Sequence, residues 1–229
     1  MSNDPRLPAP VLWSLIIFDC DGVLVDSEPI TNRIFRRMLN EIGLEISLEE
    51  TMSVFLGRTM DDCVGIIEDR LGHAVPDNFI EQYHRRIIPA FERELKAVPG
   101  VETVLDAIPG PTCVASSGAH EKMRATLGVT GLLSRFEGRL FSATEVPRGK
   151  PFPDLFLHAA KTFGAEPSRC AVIEDSVPGV QAGRAAGMHV FGYAGFTPSA
   201  RLEQAGALVF HHMRELPVLL EEHGRRLLL

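Results

Sequence analysis

Five short apolar runs punctuate the chain: SLIIF (14–18), TCVAS (112–116), RLFSA (139–143), CAVIE (170–174) and HVFGY (189–193). A weaker sixth, ALVF, covers 207–210. These runs are continuous and do not alternate with polar residues, the pattern of strands buried on both faces of a parallel sheet. Segments with helical spacing, such as ETVLDAI, EKMRATLG and PDLFLHAAKTFG, lie between them. Strand and helix in repeated succession predict an α/β fold, a Rossmann-like doubly wound parallel sheet.

The spacing is uneven. More than ninety residues separate Phe18 from Thr112, far more than one crossover needs. That interval holds TNRIFRRMLNEIG, LEETMSVFLG, TMDDCVGIIEDRLG and DNFIEQYHRRIIPAFERELK, all with helical periodicity and no strand signal. Residues 27–97 are therefore expected to form an inserted four-helix cap domain. Gly43, Gly57 and Gly72 stand where its helices should end. AVPG (97–100) marks the return, which gives a core of 14–26 and 98–229. Residues 1–13, with three prolines and mixed charge, read as a flexible tail without a signal-peptide pattern.

Composition narrows the function classes. The chain has 229 residues, 45% hydrophobic and 23% charged, with a net charge of −7. That balance is ordinary for a globular protein and gives no bulk attraction to nucleic acid or an anionic membrane. No apolar stretch approaches the roughly 20 residues of a membrane span. The four cysteines show no CxxC spacing, so reduced, buried thiols in a cytoplasmic protein are expected.

Ligands of open α/β sheets bind beyond the carboxyl ends of the strands. Asp19 and Asp21 follow the first run; Ser116, Ser117 and Gly118 the second; Lys150 comes soon after the third; Glu174 and Asp175 end the fourth. Hard divalent cations such as Mg²⁺ take carboxylate oxygens, with phosphate and water completing the shell. Asp19 and Asp175 can supply those carboxylates, and Lys150 adds positive charge for a phosphoryl group. Ser116 and the N–H groups of Ser117 and Gly118 can cradle phosphate oxygens beside a helix start near Ala119. Carboxylate nucleophiles that form aspartyl-phosphates are a known route for phosphoryl transfer. Gly179, Gly183 and Gly187 leave one helix face bare for packing on the sheet. Ser176 is a candidate cap for that helix.

These motifs, DxDG at 19–22, Ser116 after CVA, Lys150 in GKPFPD and Glu174-Asp175 in VIEDSVPGVQAGRAAGM, resemble the haloacid dehalogenase-like hydrolase superfamily. The resemblance covers residues 14–215 and points to the branch whose helical cap follows the first strand. It implies Asp19 as nucleophile and Asp21 as general acid/base, with the Asp21 backbone carbonyl also on Mg²⁺. It implies Ser116 and Lys150 on the phosphoryl group and Asp175 as a metal ligand. Glu174 is either a further ligand or an acceptor outside the ligand shell. Gly22 lets the chain turn beside the phosphate. Asp21 favours phosphoryl chemistry, because dehalogenases of the superfamily lack it.

Within that branch, β-phosphoglucomutase-type members carry a histidine where Thr31 stands and an arginine where Met60 stands. CDGVLVDSEPI, ELKAVPG and SSGAHEKM are closer to the 6-phosphogluconate phosphatase-like group. The expected function is thus a Mg²⁺-dependent phosphohydrolase for a small phosphorylated metabolite, a sugar or sugar-acid phosphate. The alternatives are a hexose-phosphate mutase and a binding module without turnover. Glu28, Asn32, Gly57 and Arg58 are expected to face the substrate from the cap. For His120, at the site mouth, substrate contact and a surface role are both open. Asp26 and Glu28 also stand where the cap must hinge. A monomer or weak homodimer is expected.

Overall fold

The apolar runs pair as one six-stranded parallel sheet in the computed structural model, which describes residues 12–55, 58 and 60–226. The strands are β1 (Leu15–Phe18), β2 (Thr112–Ser116), β3 (Leu140–Ser142), β4 (Cys170–Glu174), β5 (His189–Tyr193) and β6 (Leu208–Phe210). Their order is β3-β2-β1-β4-β5-β6. Strand order reverses between β1 and β4, so the crevice of this doubly wound sheet opens at their carboxyl ends. Phe18 pairs with Val114 on one side and Ile173 on the other. The residues that follow these strands therefore leave the sheet along one edge.

All four residues of β1 are buried, which accounts for its unbroken apolar sequence. Successive side chains point to opposite faces. Leu15 and Ile17 pack with α7 (Asp154–Thr162), α8 (Val177–Ala185) and α9 (Ser199–Ala205). Ile16 and Phe18 pack with α5 (Val101–Ala107), α6 (His120–Val129) and α10 (Leu216–Arg226). At about 1.5–3 kcal/mol for each large apolar side chain buried, this central strand is a main source of stability. The bare face of α8 has a measurable cause at Gly183, where a Cβ would lie 2.7 Å from Val190 Cγ2.

Between β1 and β2 the chain forms α1 (Glu28–Glu41), α2 (Leu48–Phe55), α3 (Met60–Leu71) and α4 (Phe79–Glu94). These helices share a core of their own, which includes Met38, Leu39, Ile46, Cys63 and Ile67. Phe35 is its centre. Its ring meets Phe55, Phe79 and Tyr83 edge-on at centroid distances of 5.2, 6.1 and 5.4 Å. Gly43 and Gly72 follow α1 and α3 with φ of 92° and 75°, the left-handed conformation that ends helices. Gly57 lies outside the described residues. The two chain crossings into this unit are paired: Asp26 N–H donates to Lys96 O at 2.9 Å, and Val98 N–H donates to Leu24 O at 3.0 Å.

The expected tail is too long at its inner end. Leu12 and Trp13 are buried in the core, and Trp13 Nε1–H donates to Leu220 O at 2.9 Å. A single tryptophan beside three prolines gives little periodicity to read, so its anchoring role is invisible in the sequence. Trp13 stacks on His223 and meets His189 edge-on. His189 Nε2 faces Ser168 O at 3.2 Å, so that nitrogen carries the proton. His189 Nδ1 then accepts from His223 Nε2 at 3.0 Å. Both rings are neutral in this chain of bonds.

Burial lowers both histidine pKa values below 6.5, and at His223 the neighbouring His189 and Arg226 lower it further. As pH falls below 6.5 the unfolded chain takes up these protons before the folded one. The pair's contribution is thus present above that pH and is lost as pH falls through the lower folded values. The melting-temperature advantage of the wild type over a His189→Gln/His223→Gln variant should shrink between about pH 7.5 and pH 5. Thermal melts at matched ionic strength check this; parallel pH curves for the two proteins would contradict it.

Candidate active site

The site grows from the switch between β1 and β4. Asp19 follows β1 directly, and its N–H still belongs to the sheet, donating to Ile173 O at 2.9 Å. Glu174 ends β4 and Asp175 follows it. Asp19, Glu174 and Asp175 are all buried, each with a carboxylate oxygen within 4.8 Å of the others. Lys150 enters from the segment between β3 and α7. Its Nζ donates to Asp19 Oδ1 at 2.6 Å, to Glu174 Oε1 at 2.5 Å and to Ala115 O at 3.2 Å.

One ammonium against three carboxyl groups leaves the cluster short of positive charge. Burial raises Asp19 to about 7; Lys150 opposes that rise and Glu174 adds to it. Asp175 is pushed well above its usual range, by burial first and then by Glu174 and Asp19. Burial alone would lower Lys150, but Asp19 and Glu174 outweigh it, and the side chain stays an ammonium.

Glu174 is the best-anchored member. Its Oε2 accepts from the N–H groups of Asp175 and Ser176, both at 3.1 Å, and from Ser176 Oγ at 2.9 Å. Ser176 Oγ in turn accepts from Gly179 N–H, capping α8. Two glycines make room for this packing. A Cβ on Gly22 would stand 2.0 Å from Asp175 Oδ2, and Gly22 also holds a φ of +77°. A Cβ on Gly179 would stand 1.9 Å from the Glu174 carboxylate. Gly179 therefore serves the acid cluster, whereas helix–sheet packing is the role of Gly183.

Asp21 points elsewhere. Its Oδ2 accepts from Lys122 Nζ at 2.7 Å, and its Oδ1 is buried without a partner among the described residues. Ser116 is buried, and its Oγ accepts from Gly118 N–H at 3.0 Å. That serine turn occupies one of the amides expected to face a phosphate. The Gly118 carbonyl accepts from Ser142 Oγ at 2.8 Å, which ties the loop to β3.

A cleft of about 330 Å³ runs between the helical unit and this edge. Asp21, Ser117 and Lys122 line it on one side; Ser27, Glu28, Thr31, Asn32, Arg58 and Tyr83 are among those on the other. Asn32 Nδ2 donates to Glu28 Oε2 at 3.0 Å and to Glu28 O at 2.8 Å. Burial, with Asp21 second, raises Glu28 above the usual carboxylate range. His120 has a different partner, since its Nε2 lies 3.0 Å from Glu145, whose carboxylate also takes the Ser142 N–H. Lys122 is the site residue that sequence reasoning missed. Its signal was its place in the first turn of the helix that follows the serine motif. A separate hollow of about 280 Å³, lined by Leu12, Trp13, Ile108, Pro217 and Val218, lies at the amino end of β1, away from the acids.

Residues 13–187 match the haloacid dehalogenase-like hydrolase family. The chain is 34% identical over 210 residues to 6-phosphogluconate phosphatase of Escherichia coli (strain K12), covering 91% of this chain and 95% of that protein. A haloacid dehalogenase-like protein from Agrobacterium tumefaciens, ATU0790, superposes with a TM-score of 0.87 at 36% identity, covering 92% of this chain and 99% of that one. A hydrolase of the same family from Deinococcus radiodurans, solved with phosphate and sodium bound, superposes with a TM-score of 0.80 at 32% identity, covering 94% and 98%. The chain belongs to the haloacid dehalogenase-like hydrolase family. Within it, the chain is a phosphatase-type enzyme of the branch with a helical cap after the first strand.

The Gly179 contact generates a sharp expectation. Gly179→Ala should displace Glu174 and cost about 1–3 kcal/mol of stability, as overpacking does. It should also lower phosphatase activity by loosening Lys150. Denaturant unfolding and activity on the same preparation check both. A fully active, equally stable Gly179→Ala protein would contradict the packing described.

Proposed function

We propose that the protein is a magnesium-dependent phosphohydrolase of a small phosphorylated metabolite, a sugar or sugar-acid phosphate, acting through an aspartyl-phosphate at Asp19. The observation that carries this reading is the Asp19 carboxylate, held by Lys150 beside Glu174 and Asp175 in a buried crevice. The donor set fits Mg²⁺: hard oxygen ligands from three clustered carboxyl groups that lack positive charge, and a glycine-lined cradle beside Asp175. Asp19, Asp175 and the Asp21 backbone carbonyl would hold the ion, with Glu174 anchoring Lys150 beside them. When bound, it supplies positive charge that keeps the carboxylates ionised and draws charge from phosphoryl oxygens.

Asp19 attacks phosphorus, and Lys150 neutralises charge that develops on the phosphoryl oxygens. Asp21 gives a proton to the leaving oxygen and later takes one from the attacking water. Ser116 and Ser117 border the phosphoryl position. The hydroxyl-rich part of the substrate faces Ser27, Glu28, Thr31 and Asn32, with Arg58 available to a carboxylate or second anionic group. Relatives named 6-phosphogluconate phosphatase and hexitol phosphatase A support a sugar-type substrate. Water as the acceptor is favoured over a second sugar hydroxyl, because Thr31 uses its hydroxyl on Glu28 O and Met60 offers no charge.

Wild-type protein with Mg²⁺ should release inorganic phosphate from 6-phosphogluconate or hexitol phosphates, and excess EDTA should stop it. Asp19→Asn should reduce turnover by at least about 10³-fold while its circular dichroism spectrum stays unchanged. Conversion of β-glucose 1-phosphate, primed with a bisphosphate, to glucose 6-phosphate without free phosphate would establish a mutase instead. No hydrolysis across a broad panel of phosphate esters would leave a binding module.

A further inference from the structure

Two lysines meet the two motif aspartates, and only one of them belongs to the phosphoryl site. Lys150 is committed to Asp19, Glu174 and Ala115 O. Lys122, the third residue of α6, donates to Asp21 Oδ2 at 2.7 Å. Its Nζ also lies 6.0 Å from the centroid of the Phe91 ring, on α4 of the cap. Its stem passes Gly118, where a Cβ would come within 3.3 Å of Lys122 Cδ. The ammonium is thus held by a core carboxylate and faces a cap aromatic ring, while its stem runs beside the serine-motif loop. The other Asp21 oxygen, Oδ1, is one of two buried side-chain polar atoms without a hydrogen-bond partner among the described residues. Leaving such an atom unpaired is costly. A fixed Oδ2 and an idle Oδ1 point to a partner that arrives with the substrate.

We infer that Lys122 is a positioning residue: it clamps Asp21 Oδ2, so that Oδ1 is the atom that exchanges the proton with the leaving group. This rests on the phosphohydrolase reading above. In the first step an Asp19 oxygen forms a bond to phosphorus. The bond from phosphorus to the substrate oxygen breaks, its electron pair goes to that oxygen, and Asp21 Oδ1 supplies the proton. In the second step water attacks the phosphorus of the aspartyl-phosphate and gives its proton to Asp21, while the bond from phosphorus to Asp19 breaks and its electron pair returns to the Asp19 carboxylate. Inorganic phosphate leaves, and both aspartates return to their starting state. Lys122 keeps its protons and touches no reacting atom.

The test separates positioning from binding and from folding by the leaving group. An alkyl phosphate such as 6-phosphogluconate needs its departing oxygen protonated, whereas 4-nitrophenyl phosphate does not. The parameter to compare is kcat/KM, which covers phosphoryl transfer to Asp19 and excludes the later water attack. Lys122→Met should lower kcat/KM for the alkyl ester by about 10–100-fold, part of the 10²–10⁴-fold that general acid catalysis supplies. The loss with 4-nitrophenyl phosphate should be under about 3-fold. Lys122→Arg, which can still donate to Oδ2, should recover most of the alkyl-ester activity. Equal losses on both esters would make Lys122 a substrate or folding contact and overturn the inference, as would undiminished activity of Lys122→Met on the alkyl ester. A wild type that hydrolyses neither ester would bring down the phosphohydrolase reading and this inference with it.

Discussion

The catalytic edge is built around the removal of three carboxylates and one ammonium from water. Taking charges out of water costs several kcal/mol per ion, and only close geometry with every remaining polar atom satisfied returns it. Glu174 shows how this is met: Oε1 faces Lys150, and Oε2 is met by two amides and a hydroxyl. Neither Gly22 nor Gly179 can carry a side chain, because the space belongs to Asp175 and Glu174. The unbroken apolar sequence of β1 and β4 belongs to the same demand. Strands buried on both faces hold the two acid-bearing ends side by side and keep solvent behind them.

The helical unit acts on this edge through a short path. Asp21 bridges to Val25, and Val25 bridges to Ala97 on the returning strand. The motif loop and the joint of the cap are therefore one hydrogen-bonded piece of backbone. Any movement of the cap as a unit would be taken up next to Asp21. Phe91 adds a side-chain route, from α4 to Lys122 and on to the Asp21 carboxylate. Closure of the cap, which would exclude water from the proposed phosphoryl transfer, would in this way be tied to the residue proposed to handle the proton.

The sheet and its helical insertion were legible because they obey strong periodicities: continuous apolar runs, helical spacing, and glycines such as Gly43 and Gly72 at helix ends. The acids were legible because they stand at strand ends, and Lys150 because it follows the third strand in its motif, all in a fixed order. What stayed hidden depends on contacts between distant residues. A lysine in the first turn of an amphipathic helix looks like any exposed lysine, and only the fold carries Lys122 to Asp21, far away in sequence. Gly179 looked like a packing glycine because nothing in VPGVQAG tells that Glu174 turns beneath it. Trp13 looked like part of a tail, since its partners, Leu220, His189 and His223, lie near the other end of the chain. His120 stands beside the serine motif in sequence, yet the turn of α6 hands it to Glu145.

The two aspartate–lysine pairs differ most in exposure, and that difference matches the chemistry proposed for them. The side chains of Asp19 and Lys150 are 10% and 5% exposed, whereas those of Asp21 and Lys122 are 24% and 43% exposed. A nucleophile gains from a dry setting, where fixed charges act on the phosphoryl group at low dielectric. Asp21, the proposed proton carrier, lines the cleft, where the alcohol would depart and water would enter. An ion pair that is partly open to solvent also contributes little to stability. Fold stability is thus a weak reason for Lys122 to reach Asp21, and alignment of the carboxylate is the stronger one. Lys150 sits in the opposite regime: removal of its charge would strand Asp19 and Glu174 in a buried site, so its structural and chemical roles cannot be separated.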